Sequence, residues 1–160
     1  SLEDPLMAPL AAESGAGLVL MHMRGNPGNM QDAPRYGNVV AEVVSHLENR
    51  VHAALKSGVG REQIALDPGI GFGKTLEHNL QLLANLSALR GPGMAVLLGV
   101  SRKSFLGAIT GRPVGERLAG TLAAQSLALA RRQADIIRVH DVREAVDMVK
   151  VVSAIGGFHS

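Results

Sequence analysis

Four short apolar runs, at residues 18–23, 64–66, 94–100 and 136–139, are each followed by a polar or glycine-rich loop and then by a segment of helical period. No other feature limits the possible folds as strongly. In 38–56, Val40, Val43, Val44, Leu47, Val51 and Leu55 recur at spacings near three and four, with Glu42, Glu48 and Arg50 elsewhere on the wheel. Leu76, Leu80, Leu83 and Leu86 repeat the pattern. Leu118, Leu122, Leu127 and Leu129 mark an alanine-rich helix, and Val142, Ala145, Val146 and Val149 a last one. Asp4-Pro5 predicts a capped helix start, Gly15 its end, and Pro9 a kink inside it. Gly58 and Gly60 close the helix before the second run, and Gly91-Pro92-Gly93 separates the next helix from the third. The expected order is α-β-α-β-α-β-α-β-α, with strands starting near 18, 63, 94 and 135. Strands joined through helices run parallel with right-handed crossovers.

No linker or composition break divides the 160 residues, so the chain reads as one domain, 1–160. Hydrophobic residues at 46% and charged residues at 19% describe a globular chain. The longest apolar run is too short to span a bilayer. A formal charge of +2, no Trp, one Tyr and three Phe leave neither a concentrated basic face nor rings for stacking bases. With no cysteine there are no disulfides and no thiolate zinc site, which fits a reducing cytoplasm. The opening Ser1-Leu2-Glu3-Asp4-Pro5, without an initiator Met, reads as the middle of a longer protein.

Parallel strands put their C-terminal ends on one rim, where α/β folds bind ligands. That rim collects His22, Arg24, Asp67, Ser101-Arg102-Lys103-Ser104, Arg138, His140 and Asp141. A period of two places Arg138 and His140 on one side, where an arginine fork suits a diphosphate or a carboxylate. The competing reading is an edge strand with a solvated face. Ser101–Ser104 can serve an anion at a helix start or form a solvated turn. Asp67 can accept two parallel hydrogen bonds from a planar amidine-like edge, or close an Asx turn into Pro68-Gly69. Gly73-Lys74-Thr75 imitates the tail of a phosphate-binding P-loop, but Pro68 stands where the first glycine belongs and Asp67 would repel phosphate. Lys74 is then a loop cation without a role. His22 reads as a satisfied histidine near the core, and His46, His52 and His78 as solvent-facing helical residues. No spacing makes a metal site.

In order along the chain, residues 20–25 (LMHMRG), 67–74 (DPGIGFGK), 99–104 (GVSRKS), 117–121 (RLAGT) and 137–141 (IRVHD) resemble dihydropteroate synthases. These are pterin-binding (β/α)8 barrels, and the resemblance covers their C-terminal half. It implies a transferase that condenses 6-hydroxymethyl-7,8-dihydropterin diphosphate with p-aminobenzoate, giving 7,8-dihydropteroate and diphosphate in folate biosynthesis, the step that sulfonamides target. It implies that Asp67, Lys103, Arg138 and Met23 contact the pterin, and that Phe72 and Ser104 contact p-aminobenzoate. Arg138 and His140 would hold the diphosphate, and Lys103, Arg138 and His140 would be the catalytic set. It further implies Mg2+, with its ligand outside this chain, and a full-length homodimer without nucleic-acid or membrane partners.

A complete barrel has eight strands in about 250 residues; four are expected here, so the chain reads as a fragment, inactive and poorly stable alone. Two other readings stand beside this one. A methyltetrahydrofolate:corrinoid methyltransferase-like domain fits Asp67 but not residues 101–104 or the Arg138–His140 pair. A non-catalytic pterin- or anion-binding module is the other.

Overall fold

A computed structural model describes residues 4–25 and 34–156. Among them, the strands are β1 (Leu18–Met21), β2 (Ile64–Asp67), β3 (Ala95–Leu98) and β4 (Ile136–Ile137), each starting within one residue of its expected position. The helices are α1 (Met7–Ser14), α2 (Val39–Lys56), α3 (Leu76–Ala84), α4 (Ser104–Thr110), α5 (Leu118–Ala130) and α6 (Val142–Gly156). The strands form one parallel sheet in the order β1-β2-β3-β4, with Leu20 opposite Leu66, Leu66 opposite Val96 and Leu98 opposite Ile137. Strand order follows sequence order without the reversal that defines a doubly wound sheet. Four consecutive βα units of a (β/α)8 barrel have this topology.

The sheet has two unlike faces. Leu18, Leu20, Ile64, Leu66, Val96 and Leu98 point toward the helices and join one core with Val43, Leu47, Leu82, Leu86 and Phe105. The alternate residues Val19, Ala65, Leu97 and Ile136 lie outside that core, and Val19 and Ile136, on the two edge strands, are 46% and 43% exposed. β2 is central and buried at all four positions, Asp67 included. A strand covered on both sides reads as a continuous apolar run, and Asp67 is the exception at its end.

α2 shows how sequence pattern becomes packing. Its buried stripe is Val39, Val43, Leu47, Val51 and Ala54, while Val40 and Leu55 only pack against the core from its margin. Asn38 caps the helix by accepting from the Ala41 N–H at 3.0 Å. Glu42 Oε1 accepts from the Gly37 and Asn38 N–H groups at 2.7 and 3.2 Å, giving the first turn a second closure.

Three expectations are corrected. α1 starts at Met7, later than Asp4-Pro5 suggested, and Asp4 Oδ1 instead accepts from the Leu6 N–H at 2.9 Å. Pro9 therefore falls in the first turn, where a missing N–H removes no intrahelical bond, and gives no interior kink. The crossover from β3 to β4 also carries two helices instead of one. α4 has seven residues, too few to display a period, and ends at Gly111, whose φ is 71°. Among the described residues no helix is long and apolar enough to cross a membrane.

Candidate active site

β2 delivers Asp67 to the rim with 3% exposure. Its Oδ1 accepts from the Gly69 N–H at 2.7 Å, which is the Asx turn. Its Oδ2 faces the Arg138 guanidinium at 3.8 Å, so the turn and the outward-facing acceptor coexist on one carboxylate. Burial raises the Asp67 pKa above the ordinary carboxylate range, opposed by the Gly69 N–H, Arg138, Lys103 and Lys74.

The loop that follows is pinned from several sides. Gly69 has φ +67°, and a Cβ there would stand 1.8 Å from the His22 carbonyl oxygen, so only glycine lets β1 and this turn approach. The Asn79 carboxamide accepts from the Gly71 N–H at 2.7 Å and donates to the Thr75 carbonyl at 2.8 Å. The Tyr36 hydroxyl donates to the Gly73 carbonyl at 2.8 Å. Thr75 then caps α3, with its Oγ1 accepting from the His78 N–H at 3.2 Å.

β3 delivers the opposite wall. Beyond it, Arg102 adopts φ 58°, its N–H donates to Thr121 Oγ1 at 3.1 Å, and its carbonyl accepts from Arg117 at 3.0 Å. This turn sends Lys103 inward. Its Nζ donates to the Ile70 carbonyl and stands 4.0 Å from the centre of the Phe72 ring. Burial lowers the Lys103 pKa to about 8, against the pull of Asp67 and with the help of Arg138.

The chain past β4 closes the arrangement. β4 itself is only two residues long, so Arg138 and His140 lie beyond it, although the Arg138 N–H still donates to the Leu98 carbonyl at 3.0 Å. The guanidinium lies so close over Gly99 that a Cβ there would be 2.8 Å from it. Buried Ser101 holds His140 twice: its Oγ accepts the His140 N–H at 3.2 Å and lies 2.9 Å from the ring Nδ1. Gly99, Ser101, Lys103, Arg138, Val139 and His140 together line a cavity of about 310 Å³.

Arg138 thus stands beside Asp67 and Lys103 beside Phe72, and Lys103, Arg138 and His140 share one cavity. Met23 does not join them. It lines a separate hollow of about 650 Å³ with His22, Arg24 and α2 residues including His46. Ser104 begins α4 and is exposed, outside the Arg138 cavity. Three cations, Lys74, Lys103 and Arg138, surround the one carboxylate of Asp67. Such a surplus suits an anionic ligand beside a polar ring edge. Among the described residues no group of three or more His, Asp or Glu side chains could hold a metal ion.

The histidines and Lys74 depart from the sequence reading. His46 is half-buried, edge-on to His22 at 4.9 Å, and His78 is half-buried, 4.8 Å from the Tyr36 ring, so neither simply faces solvent. His22 is buried as expected, and burial, Lys74 and His46 lower its pKa to about 3. Lys74, read as a loop cation without a role, is 3% exposed and donates to the Gly69 and Phe72 carbonyls at 2.9 and 3.0 Å. The sequence shows only the alternate glycines at 69, 71 and 73; the need for a donor becomes visible in the structure. Gly69, Gly71 and Gly73 all take positive φ, and a loop of that kind turns carbonyls inward that need a donor.

Comparison with known proteins gives a consistent result. Residues 1–140 match the family described as pterin binding enzyme. The dihydropteroate synthase of Escherichia coli strain K12 is 44% identical over 154 residues, covering 96% of this chain and 54% of that protein. A crystal structure of dihydropteroate synthase from Stenotrophomonas maltophilia, with imidazole bound in its active site, superposes with a TM-score of 0.92 at 42% identity, covering 99% of this chain and 60% of that one. The Thermus thermophilus enzyme in complex with 4-aminobenzoate gives a TM-score of 0.89 at 41% identity, covering 96% and 62%. The chain spans about half the length of the curated relatives it matches.

Proposed function

The chain belongs to the pterin-binding enzyme family, and on that premise we propose that it contributes the C-terminal part of the active site of a dihydropteroate synthase. The observation that carries the proposal is the buried Asp67 carboxylate 3.8 Å from Arg138, which itself lines a cavity with Lys103 and His140. The Asp67 carboxylate accepts from the 2-amino and ring N–H edge of the pterin, and the Lys103 ammonium donates to its oxo side. The Arg138 guanidinium lies along the ring, and with His140 it meets the diphosphate.

The reaction then needs little from the protein beyond placement and charge. The bond between the pterin methylene carbon and the diphosphate oxygen breaks, and the leaving group departs with the bonding pair. Arg138 and His140 stabilise the charge it carries away. Electron release from the pterin ring supports the carbon until the arylamine nitrogen attacks, and the amine then loses a proton. Phe72 packs on the arylamine ring, and the Ser104 N–H and hydroxyl meet its carboxylate. Holding both partners in line supplies most of the rate. The homodimer implied for the assembled enzyme belongs to the same proposal and is read by light scattering. A corrinoid methyltransferase-like reading leaves Arg138 and His140 without a use.

Two substitutions in the protein containing this chain test the roles. Asp67→Asn should weaken dihydropterin diphosphate binding, measured by calorimetry, by about 1–3 kcal/mol, because a charge-assisted bidentate contact is lost. Unchanged affinity removes Asp67 from the pterin site. Phe72→Ala should raise the KM for p-aminobenzoate and leave pterin affinity nearly intact; an equal loss for both assigns Phe72 to folding instead. Formation of dihydropteroate with release of one diphosphate per turnover is the direct assay.

A further inference from the structure

Lys74 takes no part in the chemistry above, yet it is among the most buried polar side chains of the described residues. Its Nζ donates to the Gly69 carbonyl at 2.9 Å and the Phe72 carbonyl at 3.0 Å, and lies 3.0 Å from His22 Nδ1. The His22 ring is neutral at physiological pH, so its Nδ1 can accept. With the His22 carbonyl oxygen at 3.5 Å as a fourth, more distant acceptor, the buried ammonium has the partners it requires.

The groups joined in this way belong to three different parts of the site. Gly69 is the residue whose N–H anchors Asp67 Oδ1, so holding its carbonyl restrains the residue that orients the carboxylate, through the neighbouring peptide. Holding the Phe72 carbonyl fixes the backbone that carries the aromatic ring. His22 ties both to the end of β1. Asn79, Tyr36 and Lys103 hold the loop from outside at Gly71, Gly73 and Ile70 respectively. Lys74 binds Gly69 and Phe72 at once, from within. Within the loop the Phe72 N–H donates to the Gly69 carbonyl at 3.0 Å, and Lys74 adds a second internal tie between these two residues in a loop with three left-handed glycines.

We propose that Lys74 is a positioning residue, an internal clamp that sets the Asp67 carboxylate and the Phe72 ring at a fixed separation so that the two substrates meet in line. The proposal rests on the synthase reading for its substrates, but not for its geometry. Burial lowers the Lys74 pKa to about 7, with Asp67 opposing and Lys103 assisting, and His22 and His46 face the same ammonium from β1 and α2. The clamp is thus tightest below neutrality.

The test uses the full protein containing this chain, with Lys74→Met, which keeps length and removes the donors. In folded protein, judged by circular dichroism at the assay temperature, kcat should fall at least tenfold and the p-aminobenzoate KM should rise at least tenfold. Dihydropterin diphosphate affinity should change less than the p-aminobenzoate KM. A folded variant with kcat and both constants within twofold of wild type overturns the proposal. If Lys74→Met does not fold, Lys74→Gln, which retains one short donor group, should give an intermediate rise in the p-aminobenzoate KM, and a value within twofold of wild type overturns it equally. Amide hydrogen exchange at residues 69–73 reads the clamp without any substrate. Exchange there should accelerate at least tenfold in either variant, and unchanged exchange sinks the clamp. Wild-type protein that shows this protection but forms no dihydropteroate would instead sink the synthase reading and leave the clamp standing.

Discussion

The segment after β2 and the segment after β4 meet at the Asp67–Arg138 contact, but they are held in different ways. Residues 69–75 are cross-braced by Lys74, Asn79, Tyr36 and Lys103 around a carboxylate that is 3% exposed. Residues 138–141 hang on a backbone bond to Leu98, on Ser101 and on the Arg102–Asp141 pair, with the Arg138 side chain 59% exposed. The difference matches the chemistry proposed for each. A carboxylate that accepts two parallel hydrogen bonds must be fixed in direction. A cation that meets a diphosphate works through charge, which tolerates rotation and changes of reach.

The sharpest way to break this contrast is Gly69→Ala. Its Cβ would collide with the His22 carbonyl oxygen at 1.8 Å, and φ is +67° besides. We expect a loss of several kcal/mol in denaturant unfolding, with pterin binding abolished. A well-folded, pterin-binding alanine variant would show that the braced end is not rigid. Next in size is acid sensitivity at the same end. His22 titrates near 3 in the folded chain and near 6.5 when unfolded, so between those values the unfolded chain binds the extra proton. The His22 contribution to stability is therefore full above pH 6.5 and falls as pH drops toward 3, by on the order of a few kcal/mol. His22→Gln should flatten that part of the pH dependence relative to wild type in urea titrations at pH 7 and pH 4.5.

The open end should respond more mildly. Ser101→Ala removes both contacts to His140 and should cost about 1 kcal/mol of stability, with a modest loss of kcat and an unchanged p-aminobenzoate KM. A large change in the p-aminobenzoate KM would mean the two ends are coupled. Smallest of all, Asp141→Asn breaks a pair with Arg102 whose side chains are 17% and 41% exposed. The expected change in thermal midpoint corresponds to about 0.2–1 kcal/mol and should shrink further in high salt.

The same contrast explains what can be read from the sequence. Strand positions, the parallel order and the rim residues Asp67, Lys103, Arg138 and His140 follow from period and from strand ends, which are local properties. α4 escapes such a reading because seven residues, with Gly107 among them, carry no measurable period. Lys74 is misread because its partner His22 is 52 residues away, and no spacing rule brings the two together. His46 and His78 lie at half-buried margins, where helix position alone does not decide what a ring touches. Open-end residues are legible because charge at a strand terminus needs a reason. Braces inside a glycine loop are legible only once the loop's carbonyls have been placed.

Gly99 carries a last consequence. There the chain omits a side chain, and a guanidinium lies flat on bare backbone, so the floor of the cavity is as thin as a polypeptide can make it. Headroom in this site is thus set by an omission. A single methyl group at position 99 would lift Arg138 and reduce the space for a ring without altering any charge or hydrogen-bonding group of the site. Ligands of different thickness, and therefore inhibitors built on different rings, should be sorted by this one position before any polar contact distinguishes them.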